Sequence, residues 1–598
     1  MPTTSAGTRV AASFATIPLA TFADFPPDGF LGFLGFLGFL GFLGFLGFLG
    51  YLGVPRSTSE YLGFLGFLGY LGYLGFLGFL GYLGVPRRVL AFLPPRNPRD
   101  PRNPRNSFYA VPVMKAIFCL LLALLLFPQA LFAQTIAPSE YQSRRDELAR
   151  VIGPNGVFIA LSPEPVTRNG DVEWPFRQDD NLKYLTGIDE RQTALVILPS
   201  EPQWRDMIFT RPFDASAELW TGPIPTTEQV KARSGVANIS PYDRFDAFLL
   251  ALFGGKAWGP SMEYRAFRGP GFPNFRTIQR DGRATVWLLL GDRAATAAPV
   301  KALLTRLRTD YPELQFRDAT PELLRLREVK SAAELALLQR AIDVTDEAHR
   351  AAMQRVRTAT HEYQLQATIE FTYRDRGADG WGFPSIVASG RNATILHYEV
   401  NDAPIVRDGL VLMDIGAEVD GYTADITRTI PADGTFSPEQ RAIHDAVLRA
   451  QNESMKLMRP GSSFSKVNTR TEEVLGEELL KLGLITRNET DQVRLYFRHG
   501  VGHPIGLQVH DVYDRLRPFE AGMVVTNEPG IYVRRADITA SPWYAKLNAD
   551  ERKGVDAALV RYEGIGVRIE DDLLITSGEP RLLSKSPRSA ADIEAFMR

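Results

Sequence analysis

Two aspartates, Asp414 and Asp425, lie eleven positions apart on either side of an Asp420-Gly421 pair that is typical of a two-residue hairpin turn. A turn there predicts that Asp414 faces Thr427. Asp425, two residues before Thr427, then projects from the same face of the hairpin as Asp414. The two backbones would be about 7–8 Å apart, which lets both carboxylates reach one cation. Two alternatives remain open: the pair could simply be solvated, and a one-residue slip in register would place the side chains on opposite faces.

Histidines form a second group of candidate ligands. His499 and His503 have the i, i+4 spacing of a helical metal pair, but the glycines and the proline around them argue against a helix and favour strand or turn. Four of the seven histidines lie in or beside β-like segments: His397, His499, His503 and His510. The other three fall on predicted helices, where we expect surface or packing residues: His349, His361 and His444.

Two glutamates occupy strand-like positions further along the chain. Glu528 follows a predicted strand at Met523–Asn527, and the Pro-Gly pair after it marks the end of that strand. In the alternating segment Gly566–Glu570, Arg568 and Glu570 share one face and two apolar residues share the other. Strands, not helices, are therefore expected to position both glutamates.

These candidates lie in the second of two differently organised regions, which divide near residue 325. Region 136–318 alternates short β-rich runs with helical ones, a pattern typical of an α/β layer domain. The second region opens with a capping box at Ser331 and Glu334, and another helix begins after Ser437 and should run to about Met458. Hairpin strands between these helices make the region α+β: Leu410–Gly416 and Tyr422–Ile430.

The first 113 residues differ in kind from the rest. Gly-Phe-Leu repeats fill 29–53 and 61–84, and a run of Pro-Arg-Asn and Pro-Arg-Asp follows at Pro95–Asn106. One Gly in three disfavours a helix, and Phe-Leu does not supply the proline-rich positions that collagen needs. We interpret residues 1–113 as translated tandem nucleotide repeat upstream of a true start at Met114. A hydrophobic adhesive or membrane-associating arm is the alternative.

A secretory signal peptide is predicted at 114–133. A lysine supplies the positive flank, Ala116–Phe127 is an apolar run, and Ala133 suits the position before a cleavage site. An uncleaved anchor is the alternative, although the run is short for a membrane span. Cleavage would give a secreted or periplasmic chain from about Gln134, without any cysteine, because Cys119 is the only one.

Composition excludes several function classes. A formal net charge of −2 gives no reason to expect nucleic acid or an anionic membrane as partner. One cysteine excludes a disulfide framework and a cysteine-rich metal site, and its loss with the signal peptide would exclude thiol catalysis. We therefore expect no nucleic-acid partner and no stable membrane span in the mature chain.

Together the acidic and imidazole candidates resemble the metal ligands of the M24 metallopeptidases. The resemblance rests on the order of these residues and on the eleven-residue spacing of the two aspartates, and it covers roughly residues 137–590. Within the family, Ile395–Tyr398 and Phe176–Gly187 resemble aminopeptidase P, the latter its non-catalytic N-terminal domain. The five ligands that the resemblance implies are Asp414, Asp425, His503, Glu528 and Glu570.

The resemblance also implies the architecture. It predicts an α/β N-terminal domain followed by an α+β pita-bread (creatinase/aminopeptidase-like) catalytic domain. We expect the aminopeptidase P N-terminal domain at 134–325 and the M24 pita-bread domain at 326–598. A homo-oligomer, dimer or tetramer, built partly through the N-terminal domain is expected by the same analogy.

The activity implied is that of a metal-dependent Xaa-Pro aminopeptidase, which releases the N-terminal residue from peptides with proline in second position. Four carboxylates gathered in one cavity would repel each other and take up protons, and two divalent cations offset that charge. Oxygen ligands with one imidazole favour Mn²⁺, with Co, Fe or Zn as alternatives. Two such ions can hold a bridging hydroxide that attacks the peptide carbonyl.

Further roles follow from the same resemblance. Glu528 is implied as both a ligand and the proton shuttle, and Glu570 as a bridging ligand. Arg568 and Tyr532 match positions that orient the ligands. One residue departs from the family pattern: Asn527 stands before Glu528 where an aliphatic residue is usual, and its side chain could bond locally.

The remaining histidines receive substrate-binding roles from the resemblance. His397 and His510 would stabilise the tetrahedral intermediate or bind the C-terminal side of the substrate. His499 would line the proline pocket. The catalytic set implied is thus His397, His499, His510, Glu528 and Arg568.

Three other functions compete with this interpretation. Prolidase cuts Xaa-Pro dipeptides only, and an assay of a dipeptide against a longer Xaa-Pro-Yaa peptide separates the two. The connection between His510 and Glu528 is short and lacks the insertion seen in some prolidases, which favours aminopeptidase P. A creatinase-like amidinohydrolase would lack the complete metal set, and a metal-free peptide-binding module would have lost ligands that this chain keeps.

Overall fold

The structure, a computed structural model, describes residues 136–259, 271–291 and 294–598. The repeats at 1–113 and the predicted signal peptide at 114–133, with Met114 and Cys119, lie outside the described residues. Among the helices within the described ranges, none has the length and apolar character needed to cross a membrane.

A six-stranded mixed sheet organises the first part of the described chain. Eight strands lie here: β1 Gly156–Leu161, β2 Thr167–Asn169, β3 Val172–Glu173, β4 Ala194–Ile197, β5 Asp206–Thr210, β6 Asn238–Pro241, β7 Thr285–Leu288 and β8 Gln315–Asp318. The sheet has the order β6-β5-β4-β1-β7-β8, and β2 pairs with β3 separately. Strand β1 is antiparallel to β4 and parallel to β7, so the sheet mixes both directions.

Eight helices accompany these strands, and the alternation confirms the predicted α/β character of this region. They are α1 Pro138–Ile152, α2 Asp180–Thr186, α3 Ala215–Thr221, α4 Thr227–Ser234, α5 Phe245–Gly254, α6 Pro273–Arg280, α7 Ala294–Asp310 and α8 Thr320–Glu328. Short 3₁₀ turns lie at Pro202–Trp204 and Tyr242–Arg244.

The two faces of the sheet contribute to two different cores, because successive strand residues point to opposite sides. On one face, Val157 and Ile159 of β1 pack in a cluster that includes Phe209 and Phe248. On the other face, Phe158 and its neighbours join a larger core that continues into the second part of the chain. The sheet is therefore attached to the second part through shared apolar packing.

Small antiparallel sheets and long helices form the second part. Its strands are β9 Gly380–Trp381, β10 Ile386–Ser389, β11 Leu410–Ile415, β12 Ala417–Val419, β13 Tyr422–Thr423, β14 Ile426–Pro431, β15 Val524–Asn527, β16 Gly530–Tyr532, β17 Gly566–Arg568, β18 Asp571–Leu574 and β19 Arg581–Leu582. They pair in the orders β10-β11-β14, β13-β12-β9, β15-β18-β19 and β16-β17.

Nine helices complete the second part, which is α+β as predicted. They are α9 Ala332–Arg355, α10 Glu362–Asp375, α11 Pro438–Met455, α12 Phe464–Lys481, α13 Thr490–Val493, α14 Arg535–Thr539, α15 Pro542–Ala545, α16 Ala549–Tyr562 and α17 Ala590–Met597. A 3₁₀ turn lies at Gly390–Thr394. Both predicted helix starts are confirmed, since Ser331 and Ser437 each form a reciprocal capping box.

Three local predictions differ from the structure. The two hairpin strands each break into two, β11 with β12 and β13 with β14, and β12 at the tip pairs with β9. At the break, Gly416 lies so close to Ala424 that a Cβ there would be 1.9 Å from the Ala424 carbonyl oxygen. Helix α11 ends at Met455, and turns carry the chain on to Met458. His361 sits at the N-cap of α10 and not inside a helix.

Candidate metal centre

The hairpin register places the two aspartates as the turn predicts. Val419 pairs with Tyr422, and Asp414 in β11 pairs with Thr427 in β14. Asp425 lies just before β14, and its backbone N–H donates to Asp572 Oδ2 at 3.1 Å. Both aspartate side chains are buried and line one cavity, so the slipped register and the solvated pair are wrong.

His503 enters this cavity from a loop and not from a helix, in agreement with the glycine-rich sequence around it. Its Nδ1 lies 3.1 Å from the carbonyl oxygen of Pro504, which can only accept, so Nδ1 carries the proton. Nε2 therefore keeps its lone pair, and it lies 3.3 Å from Asp425 Oδ2 and 3.6 Å from Glu528 Oε1. A ring held in this tautomer is suited to bind a metal through Nε2.

The two glutamates arrive from the ends of strands β15 and β17. Glu528 follows β15, and its N–H donates to the carbonyl of Val501. Glu570 lies between β17 and β18; its N–H donates to the carbonyl of Thr427, whose hydroxyl donates to Glu570 Oε2 at 2.7 Å. Ligand atoms of Asp425, His503 and Glu570 lie within 4.8 Å of one another. Segments far apart in sequence thus converge on one point.

Burial and mutual repulsion make it unfavourable for these carboxylates to be charged together in the absence of a cation. Burial, followed by the charges of Glu570 and Asp414, raises the pKa of Asp425 well above its usual range. Burial and the neighbouring carboxylates Glu528 and Asp414 do the same to the pKa of Glu570. Burial raises the pKa of Glu528 to about 8, although Arg568 opposes the shift. A group of carboxylates that resists ionisation together is well matched to divalent cations, which offset the charge.

A second observation, an unpartnered carboxylate oxygen, also indicates that these residues could hold metal ions. Among the residues that the structure describes, the buried Oδ1 of Asp414 has no hydrogen-bond partner. Buried carboxylate oxygens normally find a donor, so an unpartnered one on a residue that lines the cavity fits a bound cation as its partner. Asp414, Asp425, His503, Glu528 and Glu570 would hold the ions.

Arg568 joins the candidate ligand Asp414 to His499 by a chain of hydrogen bonds. Its guanidinium donates to Asp414 Oδ2, to Thr427 Oγ1 at 3.1 Å and to the hydroxyl oxygen of Tyr532 at 2.8 Å. The Tyr532 hydroxyl in turn donates to His499 Nε2 at 2.8 Å, because His499 Nδ1 donates to the Gly500 carbonyl. Arg568 and Tyr532 therefore sit beside the ligand shell.

His510 and His397 complete the wall of the cavity. The ring centroid of His510 lies 4.1 Å from that of His503, edge to face. His397 lines the same cavity, as does His499. The residue after His510, Asp511, is buried and paired with Arg327 at 2.6 Å and Lys330 at 3.1 Å. All nine site residues predicted from the sequence thus border one cavity of about 900 Å³.

Several residues of the site carry no signal that the sequence alone would single out. The outer wall of the cavity includes Phe464, Asn468, Tyr513 and Arg515. Asp572 accepts a hydrogen bond from the backbone N–H of Asp425. It lies two residues after Glu570, and nothing in its own spacing distinguishes it. Such residues reach the site through folding and show no spacing pattern.

Asn527 bonds locally, as its sequence position suggested. It is buried; its Nδ2 donates to the carbonyl of Gln451 at 2.9 Å, and its Oδ1 accepts from the hydroxyl of Ser454 at 2.9 Å. The polar side chain is therefore satisfied by helix α11 and does not enter the cavity's ligand set.

The other three histidines are not part of the site. His349 and His444 are buried in α9 and α11, so they are packing residues. His349 Nε2 donates to the carbonyl of Ile426 at 2.9 Å. His361 is only partly buried and stacks on Tyr363.

Comparisons with known families agree with this geometry. The family model described as metallopeptidase family M24 matches residues 336–577, and the one described as aminopeptidase P, N-terminal domain, matches residues 141–258. The first match contains all five candidate ligands.

Curated relatives and solved structures extend the similarity over most of the described chain. The chain is 33% identical over 469 residues to the Xaa-Pro aminopeptidase of Haemophilus influenzae, covering 77% of this chain and 97% of that protein. It is 32% identical over 481 residues to the Xaa-Pro aminopeptidase of Escherichia coli, covering 77% and 98%. The structure of Pseudomonas aeruginosa aminopeptidase PepP matches with TM-score 0.65 and 31% identity over 78% of this chain and 98% of that one.

A zinc-substituted Escherichia coli aminopeptidase P in complex with product matches with TM-score 0.65 and 30% identity, over 77% of this chain and 98% of that one. These neighbours share the predicted arrangement of an aminopeptidase P N-terminal domain and a pita-bread catalytic domain. The chain belongs to metallopeptidase family M24, as a hydrolase of the Xaa-Pro aminopeptidase type that carries the aminopeptidase P N-terminal domain.

Proposed function

We propose that the protein is a metal-dependent aminopeptidase that releases the N-terminal residue from peptides with proline in second position. One observation carries the proposal: four carboxylates and one imidazole, from segments between residues 414 and 570, converge in a single buried cavity. Relatives named Xaa-Pro aminopeptidase support this substrate class over that of prolidase.

Bound at these ligands, two divalent ions supply an activated water and polarise the scissile carbonyl. The surrounding side chains do the rest. Glu528, which lines the cavity 3.6 Å from His503 Nε2, can accept a proton from the water and return it to the leaving proline nitrogen. His397 and His510 face the cavity and donate to the oxygen on which negative charge develops, and His499 lines the place of the proline ring.

Proline in second position explains the need for such a site. An Xaa-Pro bond is a tertiary amide without an N–H, so a protease that binds this N–H in strand-like fashion loses its contact. Polarisation of the carbonyl does not require that contact. The free amine of the substrate can bind beside the carboxylates, which restricts cleavage to the first bond.

Mn²⁺ is the ion that we propose, with Co, Fe or Zn as alternatives. Carboxylate groups outnumber the single imidazole four to one in the candidate ligand set, and hard oxygen ligands suit Mn²⁺. Dialysis against a chelator followed by addition of each metal in turn will identify the ion that restores most activity.

Hydrolysis of an Xaa-Pro-Yaa tripeptide by the protein from Gln134 onward tests the function. We expect Mn²⁺-dependent release of the first residue, and we expect Asp425→Ala to lower kcat/KM by more than about 100-fold. Asp445→Ala, at a side chain that is 58% exposed on the surface of α11, is the matched control and should retain activity.

Three outcomes would point elsewhere. Cleavage of Xaa-Pro dipeptides alone would indicate prolidase. Peptide binding without metal uptake or hydrolysis would indicate a binding module. Equal turnover by Asp425→Ala would contradict the assignment of the metal site.

A homo-oligomer, dimer or tetramer, is proposed for the same enzyme. On helix α3 of the N-terminal part, Leu219 and Trp220 are 81% and 84% exposed, and the nearby Phe213 is 58% exposed. Large apolar side chains clustered at a surface are typical of subunit contacts. Light scattering should give the mass of a dimer or tetramer, and Trp220→Asp should lower it, whereas Val560→Asp, at an exposed residue of α16, should not.

Export is proposed from the segment that begins at Met114. Its support is the charged flank, the apolar run and the small residue at position 133. Expression of the chain from Met114 in a bacterium, with fractionation and N-terminal sequencing, should place the protein outside the cytoplasm with a start at about Gln134. Recovery of peptides from residues 1–113 of the natural protein would contradict the upstream-repeat interpretation.

A further inference from the structure

One glutamine of helix α11, Gln451, contacts both strands that deliver glutamates to the site. Its side chain is fully buried. Nε2 donates to the carbonyl oxygens of Asn527 and Ile569, each at 3.1 Å, and to Asp571 Oδ2 at 2.9 Å. An amide has two N–H groups, so one of them is shared between two of these three acceptors.

Two of these acceptors are the backbone carbonyls of the residues that directly precede candidate metal ligands. Asn527 immediately precedes Glu528, and Ile569 immediately precedes Glu570. The two strands concerned, β15 and β17, belong to different sheets and do not pair with each other. Strand β18, which begins just after Glu570, pairs Asp571 with Asn527, and the Gln451 amide adds a side-chain bridge between the residues that precede two candidate metal ligands.

The side chain of Asn527 forms hydrogen bonds to the same helix, α11. Its Nδ2 donates to the carbonyl of Gln451, and its Oδ1 accepts from Ser454 one turn further along α11. All three side chains are fully buried, so each polar group would be costly if it lost its partner. A fully satisfied buried network of this kind restricts the backbone to one arrangement.

We propose that Gln451 and Asn527 are positioning residues, which hold Glu528 and Glu570 at the spacing that two metal ions require. This inference rests on the proposed metal site and adds to it the residues that set its dimensions. Metal ligands must be held within about 0.5 Å of the productive geometry, and outer partners that do this typically change metal affinity by about 10–100-fold.

Metal affinity, measured by titration calorimetry with Mn²⁺ on the metal-free protein, tests the proposal. Gln451→Leu keeps the approximate volume and removes the amide, and we expect its dissociation constant to rise about 10–100-fold. Asn527→Val keeps Gln451 and removes the reciprocal contact, so a smaller rise is expected, which guards against a fold defect in the first variant.

Gln440→Leu is the matched control. Gln440 is a buried glutamine in the first turn of the same helix, about 16 Å along its axis from Gln451. It serves the capping box and donates to the carbonyl of Asp408 at 2.8 Å. This variant should lower the melting temperature of the metal-free protein and leave the Mn²⁺ dissociation constant unchanged.

Wild-type affinity in Gln451→Leu would overturn the inference, and so would an equal loss of affinity in Gln440→Leu. If the wild-type protein itself took up no metal, the proposed function would fail and this inference with it. Normal uptake by the wild type together with weakened uptake by Gln451→Leu and Asn527→Val alone would support the positioning role.

Discussion

Arg568 is a buried cation in a cavity rich in carboxylates. Its guanidinium is buried and reaches Asp414, Thr427 and Tyr532 at once, through three different nitrogen atoms. A planar fork of donors can hold three partners in fixed directions, whereas an ammonium group acts as a point charge. The role of Arg568 is thus geometric as well as electrostatic.

Arg568→Lys should keep the charge and lose the geometry. We expect kcat/KM for an Xaa-Pro-Yaa peptide to fall about 10–100-fold, since Asp414 and Tyr532 would no longer be held together. Steady-state kinetics and circular dichroism check this. Wild-type kinetics in the lysine variant would show that charge alone suffices.

Glu570→Gln tests the balance between metal binding and stability. Removal of one buried carboxylate, whose pKa is raised by burial and by Glu528 and Asp414, relieves repulsion in the metal-free protein. We expect its melting temperature without metal to rise by about 2–4 °C, and the stabilisation by added Mn²⁺ to disappear. Calorimetry with and without Mn²⁺ measures both. A metal-free variant less stable than wild type would contradict the argument.

At the scale of elements, the loop that carries His503 and His510 is tied to the N-terminal part by charges. Asp511 pairs with Arg327 at the end of α8 and with Lys330 after it, and Arg327 also donates to Asn181 of α2. Arg177 donates to the carbonyl of Leu507 in the same loop at 2.7 Å. The non-catalytic part of the molecule therefore supports a wall of the cavity.

Asp511→Asn should destabilise the fold by about 3–5 kcal/mol, because it leaves two buried cations without their anion. Burial alone would raise the pKa of Asp511, but Arg327 and Lys330 outweigh it and lower that pKa, so the carboxylate is charged at neutral pH. Urea unfolding measures the loss.

Asp246→Asn is the control for this prediction. It breaks an ion pair with Arg306 in which both side chains are well exposed, and it should cost less than about 1 kcal/mol. Similar losses of unfolding free energy in the two variants would mean that the buried ion pairs of Asp511 stabilise the fold no more than an exposed pair does.

At the scale of the whole molecule, one core runs from the six-stranded sheet through α9 to the hairpins of the site. His349 lies inside this core on α9 and is buried completely. Burial, with Arg428 and Arg350 adding to it and Asp571 opposing, lowers the pKa of His349 to about 3. A neutral imidazole is therefore built into the centre of the molecule.

Acid should weaken the fold through this histidine. The unfolded chain binds a proton near the ordinary value of 6.5, but the folded chain only near 3, so stability falls as pH falls below about 6.5. From about pH 7 to about pH 5 the wild type should lose roughly 2 kcal/mol more than His349→Gln, by urea unfolding. His361→Gln, at a partly exposed residue, should lose as much as the wild type.

Short-range sequence features determined the register of the site hairpin and the starts of two helices. The Asp420-Gly421 turn and the alternation of side chains placed Asp414 opposite Thr427, and serine capping boxes placed the starts of α9 and α11. These features depend on neighbours within a few residues, so they can be read from the chain directly.

Tertiary structure alone decided the rest. The hairpin breaks where Gly416 closely approaches Ala424, and the partners of the Asp511 and Gln451 side chains lie from 76 to 184 residues away in sequence. Such contacts arise when separate elements pack, and no periodicity in the chain encodes which buried donor will meet which acceptor. The candidate ligands were thus predicted from the sequence, whereas the dimensions of the cavity that they surround were set by packing.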